Sequence, residues 1–430
     1  MAAGISVAHP LNGRFASKIL SSAIFCTICI SSSSQAQDVV CSNGFGSFYA
    51  KSPTGVTVSV GAVRDDALAR RACQARFTWS GQDLVVEHGA AQVDVDMMDV
   101  DLGLGSQVVA FQTKQSTFDP LMKYEIYSLA KPPTKLRTVT GGDFFRAADT
   151  NLDGRIEIWT SDAAAVDGFE DLALSALDFA PPVVLRFEHR RLIDVGSEFP
   201  VLFDRKINAV KAQLDSQQLS NFKNSDGKLS NTSAVAIDAL HELRRTKIKV
   251  LEIVWCYVYS GREEDAWHAL ADMWPPADLD RIRTAILNAR DRGIRSQVDG
   301  VSSGLSHARR RGKVMIYDRV ADTRSDGRMN VEDETGGSGD HMRAYQVDIS
   351  PQPIMFRRPP PPPGVSPATF NAEVAVNLVI DAAGKVWSIK TEGKNDQDLI
   401  DASAQWKFVP ALKNGNPVAS HLRLGVTPFQ

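Results

Sequence analysis

Three stretches of this 430-residue chain carry residue types at spacings that chemistry can use. The first is Asp149-Thr-Asn151-Leu-Asp153-Gly154-Arg-Ile-Glu157. Oxygen donors at positions one, three, five and nine around a glycine turn are what Ca²⁺ coordination asks for. The position that closes an EF-hand with glutamate is Thr160 here, and a β-like run follows instead of a helix. The expectation is a structural Ca²⁺ held by Asp149, Asn151, Asp153 and Glu157 in a loop between strands, with no catalytic role. A metal-free Asx turn is the alternative. The second stretch places Asp94, Asp96, Asp99 and Asp101 along one segment, and their spacing predicts a solvated acidic strand edge and turn. The third, Gly300-Val-Ser302-Ser-Gly304, has the pattern of a nucleophile elbow. That elbow needs a strand before it and a partner histidine. Arg283 to Gln297 read as helix or loop, and His307 is too close in sequence to serve. With no nucleophile, base and orienting group that belong together, the chain reads as a non-enzyme without a small-molecule substrate.

The elements that must position these residues give an α+β multidomain chain. Residues 37–199 read as an all-β domain, either a sandwich or a partial propeller. Val56 to Val60, Ala75 to Trp79 and Leu84 to Glu87 alternate or are rich in β-branched and aromatic residues, and Gly, Pro and Asp turns separate them. Residues 200–318 form a helical middle, with helices expected over Val235 to Leu243, Lys247 to Ser260, Glu263 to Trp274 and onward from Leu279. Residues 319–366 are rich in Gly, Asp, Ser and Pro and include Pro359 to Pro363, a stiff spacer. Residues 367–430 close the chain as a small unit.

Net charge is -3, so composition gives no electrostatic argument for nucleic acid or an anionic membrane. The basic run from Arg290 to Lys313 has no aromatic residue interleaved, which a nucleic-acid site would want. No nucleic-acid partner is expected. Arg14 and Lys18, the apolar run 19–30 and the small residues up to Ala36 have the layout of a secretory signal over residues 1–36. The chain is therefore expected in the periplasm or secreted, with an inner-membrane anchor through residues 19–30 as the alternative. In an oxidising compartment Cys41 and Cys73, in one β-rich region, are placed to pair; three unpaired buried thiols are the other reading. Cys256 reads as buried and inert.

In the last unit Val374, Val376, Leu378 and Ile380 alternate, Asp381 to Gly384 supply a turn, and Trp387 and Ile389 mark a second strand. Leu399, Ala402 and Trp406 lie on one helix face, and Val418, Leu422, Leu424 and Val426 mark a final strand. The order is a two-layer ββαβ unit. Its Val379-Ile-Asp-x-x-Gly-x-Val386, Leu399-Ile-Asp-x-Ser-Ala404, Trp406-Lys-Phe-x-Pro-Ala411 and Gly415-x-Pro-Val418 blocks resemble the C-terminal domain of TonB-type energy transducers. The resemblance covers about residues 367–430. It implies docking on an envelope protein, an outer-membrane receptor in that family, by addition of a strand to the sheet edge, with energy-coupled transport across the outer membrane. The expected docking strand is the last one, carrying Val418, Ser420, Leu422, Leu424 and Val426. A second copy of the chain is an admissible partner. The alternative is an exported interaction protein with a calcium-stabilised β domain and no energy coupling.

Overall fold

Alternating apolar residues set the frame. In the computed structural model, residues 39–65, 70–229, 237–302, 316, 347–356, 374–391 and 397–426 are described. The first part runs β1 (Cys41–Ser42), β2 (Phe48–Lys51), β3 (Thr57–Asp65), β4 (Arg70–Trp79), β5 (Gln82–Ala90), β6 (Gln92–Asp101), β7 (Gln107–Lys114), β8 (Met122–Ser128) and β9 (Lys135–Ala148). After β10 (Glu157–Asp162) come the single turns α1 (Ala163–Val166) and α2 (Leu174–Leu177), then β11 (Pro182–Glu188) and β12 (Arg191–Asp194). Five longer helices follow: α3 (Pro200–Lys211), α4 (Ser216–Lys223), α5 (Ile237–Tyr259), α6 (Glu263–Met273) and α7 (Leu279–Arg290). The two-residue β13 (Gly300–Val301) pairs parallel with β12 and ends a nine-stranded sheet of order β1-β6-β7-β8-β9-β10-β11-β12-β13.

Strands β2 to β5 form a separate four-stranded sheet. Its inward residues Val58, Val60, Ala75 and Phe77 meet Val95, Val109, Phe111 and Tyr127 of the larger sheet in one core. A disulfide joins Cys41 of β1 to Cys73 of β4 across that core. The helices pack over the large sheet, and Val184 and Leu185 share a second core with Phe203, Trp255, Leu270 and Ile286. The helical middle is thus a layer on the sheet, because its apolar stripes have the sheet as their partner. Two helices expected on either side of Leu243–Lys247 are one continuous helix, α5, in which Thr246 and Lys247 are buried. Inside, Lys247 Nζ pairs with Glu170 at 3.0 Å. Cys256 lies in that core, where burial pushes its thiol up to about 12.

The terminal unit comprises β14 (Gln352–Met355), β15 (Val374–Ile380), β16 (Val386–Thr391), α8 (Gln397–Ser403), β17 (Lys407–Val409), β18 (Ala411–Lys413), β19 (Asn416–Val418) and β20 (Ser420–Val426). Three corrections to the expected ββαβ unit follow. Helix α8 stops at Ser403, so Trp406 is not on it; Trp406 stacks on Phe356 at 4.0 Å between ring centres. Residues 352–355, assigned to the spacer, form a strand paired with β17. The last strand is two strands: Val418 belongs to β19, whose partner is β18, and only residues 420–426 continue along β15. Leu378, Ile380, Val386, Leu399, Trp406, Phe408 and Leu422 form the unit's core. The signal segment 1–36 and most of the Pro-rich spacer lie outside the described residues. No helix among the described residues is long and apolar enough to cross a membrane.

Candidate functional site

The terminal unit sits on β6 through charged groups. Contrary to the expected solvated acidic edge, Asp94, Asp96 and Asp99 are buried, and only Asp101 of the four is exposed. The reason is two β-bulges. The pairing of β6 with β7 passes from Val95↔Phe111 to Met97↔Ala110, and from Met98↔Val109 to Val100↔Val108. Asp96 and Asp99 are the extra residues, and a bulge re-aims a side chain that strict alternation would point elsewhere. Asp99 accepts the Ser52 hydroxyl at 2.5 Å, and burial pushes its carboxyl up to about 6.

Each of the other two carboxylates takes a lysine from the terminal unit. Lys385, just before β16, places Nζ 2.6 Å from Asp96 Oδ1 and also donates to the Asp96 carbonyl. Lys407 of β17 donates to Asp94 Oδ2, which also accepts Gln112 Nε2 at 2.7 Å. Asp96 Oδ2 accepts the Tyr124 hydroxyl at 2.6 Å and the Ala147 amide at 2.8 Å. These charges are matched group for group, as buried charges must be. Strands β17 and β19 lie against β6, and Gln107 Nε2 donates to the Gly415 carbonyl at 3.0 Å.

Beside this seam lies the loop read as a calcium site. Both Asp149 oxygens accept loop amides, Asp153 and Gly154, each at 2.9 Å. Asn151 Oδ1 accepts the Asp153 amide, and Asp153 is bound by the Arg155 guanidinium. Glu157 is turned to the Thr150 amide and Arg186. The loop therefore closes as an Asx-type turn on its own N–H groups. Among the described residues no group of three or more His, Cys, Asp and Glu side chains is arranged to hold a metal ion. Sequence reasoning missed a fourth carboxylate at this loop. Asp381 Oδ2 accepts the Asp149 amide at 2.8 Å, while its Oδ1 accepts the amides of Ala383 and Lys385. The two turns, 232 positions apart, are stitched together by this carboxylate.

Burial, with the charge of Asp381 next in effect, pushes the Asp149 carboxyl up to about 8. Burial holds Glu157 at about 7 and Asp381 at about 6. A carboxyl raised in the folded state keeps its proton there while the unfolded chain releases it. Its stabilising effect is complete below its ordinary value of 3.8 and is lost as pH rises through about 8. Stability is therefore expected to fall between pH 5 and pH 8, with Asp149 alone contributing at most about 1.4 kcal/mol per pH unit. Denaturant melts across that range check this, and Asp149→Asn should flatten the slope.

Of the Gly-x-Ser-x-Gly motif, Gly304 lies outside the described residues. Ser302 follows β13, and its hydroxyl donates to Glu198 Oε1 at 2.9 Å. Glu198 is itself bound by Arg186, a buried guanidinium that also pairs with Glu157 and Glu188.

The expected docking strand lies at a sheet border. The terminal three-stranded sheet has the order β16-β15-β20, so β20 is an edge strand among the described residues. Ser420, Leu422 and Val426 are buried, with Leu422 and Val426 in the unit's own core, and Leu424 is half-buried. These side chains hold the strand in place, while Arg423 and Gly425 on the opposite face are exposed. No family model, no curated protein and no solved structure matches this chain.

Proposed function

We propose that this chain is an exported envelope protein that docks an extended segment of a protein partner along β20, its β-rich body serving as the mount for the terminal unit. The observation that carries this reading is the place of β20 at the end of the order β16-β15-β20. An edge strand offers main-chain donors and acceptors to an incoming strand. The resemblance of the 367–430 blocks to TonB-type terminal domains supports an outer-membrane or periplasmic protein as that partner. Energy coupling is the stronger form of the proposal, and docking without it is the second reading. The ion-paired seat on β6 favours the second, since it fixes the terminal unit to the body rather than leaving it on a tether.

An inward-facing charge on an edge strand discourages pairing. Leu424→Lys is therefore expected to abolish capture of an envelope protein by the full chain, while the melting profile of the body stays near that of the parent. Equal capture by the two chains would count against docking at β20.

A further inference from the structure

We propose that Lys385 and Asp96 condense with each other to form an amide cross-link that ties the terminal unit covalently to strand β6. The inference stands on the seam alone and does not depend on the partner-docking reading.

The two side chains come from positions 289 apart and are 4% and 1% exposed. Nζ lies 2.6 Å from Asp96 Oδ1 and is held from a second side by the Asp96 backbone carbonyl. Amine and carboxyl are therefore fixed at contact distance, which removes most of the entropic cost of a bimolecular condensation. Oδ2, the oxygen turned away from the lysine, holds two donors: the Tyr124 hydroxyl at 2.6 Å and the Ala147 amide at 2.8 Å. Attack at Cγ places developing negative charge on Oδ2, and donors already aimed at that atom stabilise it without reorganisation. Burial lowers the proton affinity of Lys385; Asp96 opposes this, and the charges of Lys407 and Arg146 add to it. A desolvated lysine with neighbouring cations is the setting that yields a neutral, nucleophilic amine.

The step balances without an oxidant or co-reactant. The ammonium passes one proton to Oδ1, and the neutral amine attacks Cγ. The new N–C bond forms, a second proton moves from nitrogen to Oδ1, and the Cγ–Oδ1 bond breaks. Oδ1 leaves as water, and the amide nitrogen keeps its last hydrogen. The dry seam favours condensation over hydrolysis by excluding solvent.

The neighbouring pair is an internal control. Lys407 and Gln112 both approach Asp94 Oδ2, and among the described residues Oδ1 accepts only the Val40 amide, at 3.2 Å. That carboxyl lacks two donors on the oxygen opposite its lysine, and Lys407 is expected to stay unlinked.

The test is peptide mapping by mass spectrometry of the purified full chain, reduced and denatured before digestion with trypsin. The expected result is one branched peptide containing Asp96 and Lys385, lighter than its two parts by one water, with no cleavage after Lys385. Lys385→Arg should give the two peptides separately. Tyr124→Phe, followed in time after refolding, should form the link at least tenfold more slowly, as loss of one oxyanion donor predicts. Separate peptides with normal cleavage at Lys385 in the folded parent chain would overturn the proposal. Linkage at the parent rate in Tyr124→Phe would overturn the role given to Tyr124.

Discussion

Lys385→Met is expected to destabilise the full chain by at least about 3–5 kcal/mol, the range for leaving one partner of a buried pair alone, with loss of the proposed link adding to it. The variant removes a cation whose partner, Asp96, is nearly inaccessible and lies beside a second carboxylate, Asp94. Methionine replaces most of the packing volume, so the loss reports the stranded Asp96 carboxylate and the missing link rather than a cavity. Lys407→Met should cost less, because the Lys407 side chain is 13% exposed and Gln112 remains on Asp94. The double variant Lys385→Met/Asp96→Asn is expected to be more stable than Lys385→Met alone. The asparagine carbonyl can still accept Tyr124 and Ala147, and no charge of this pair is left buried. Equilibrium denaturation at one pH measures all of these. A double variant no better than the single would show that the seam's charge balance is not what holds the terminal unit.

The second large effect is expected at Gly384. Its φ is +79°, and a Cβ built there would strike the backbone carbonyl of Phe408. The same contact is made productive by glycine: the Phe408 amide donates to the Gly384 carbonyl at 2.8 Å. Neither neighbour can yield, because Phe408 lies in the unit's core and Lys385 is tied to Asp96. Gly384→Ala is expected to cost about 3–5 kcal/mol, the left-handed penalty plus the collision. Gly154→Ala supplies the control. Its φ is +81° but nothing lies within 4 Å of the added Cβ, so only the left-handed penalty of about 1–2 kcal/mol applies. Equal losses at the two glycines would refute the crowding argument.

Period-two runs such as Val56 to Val60 and Val374 to Ile380 were legible as strands because each buries one face of one sheet. The Asp149 loop was legible as a turn, since Asx residues and a glycine close it locally. What sequence reading missed is non-local. Asp94 and Asp96 look like a solvated edge because their lysines are about 300 residues away. A bulge also breaks the alternation by which burial is inferred. Asp381 read as an ordinary turn residue, and only the fold brings it to Asp149. Helix α5 read as two helices parted at residues 244–246, a polar stretch that the fold keeps helical, with the adjoining Lys247 buried against Glu170. The spacer was extended too far because residues 319–366 are rich in Gly, Asp, Ser and Pro, yet β14, paired among the described residues with β17 alone, tolerates its Pro353.

Docking of a partner along β20 is a proposal that crosslinking can decide. Photocrosslinking in cells tests this most directly, with a reactive residue placed in turn at His421, Arg423 and Gly425 of the full chain. Strand addition predicts adducts with one extended segment of one protein, the attachment points advancing by two residues as the probe advances by two. Adducts scattered over several proteins, or arising equally from Ser388 and Lys390 on β16, would contradict it.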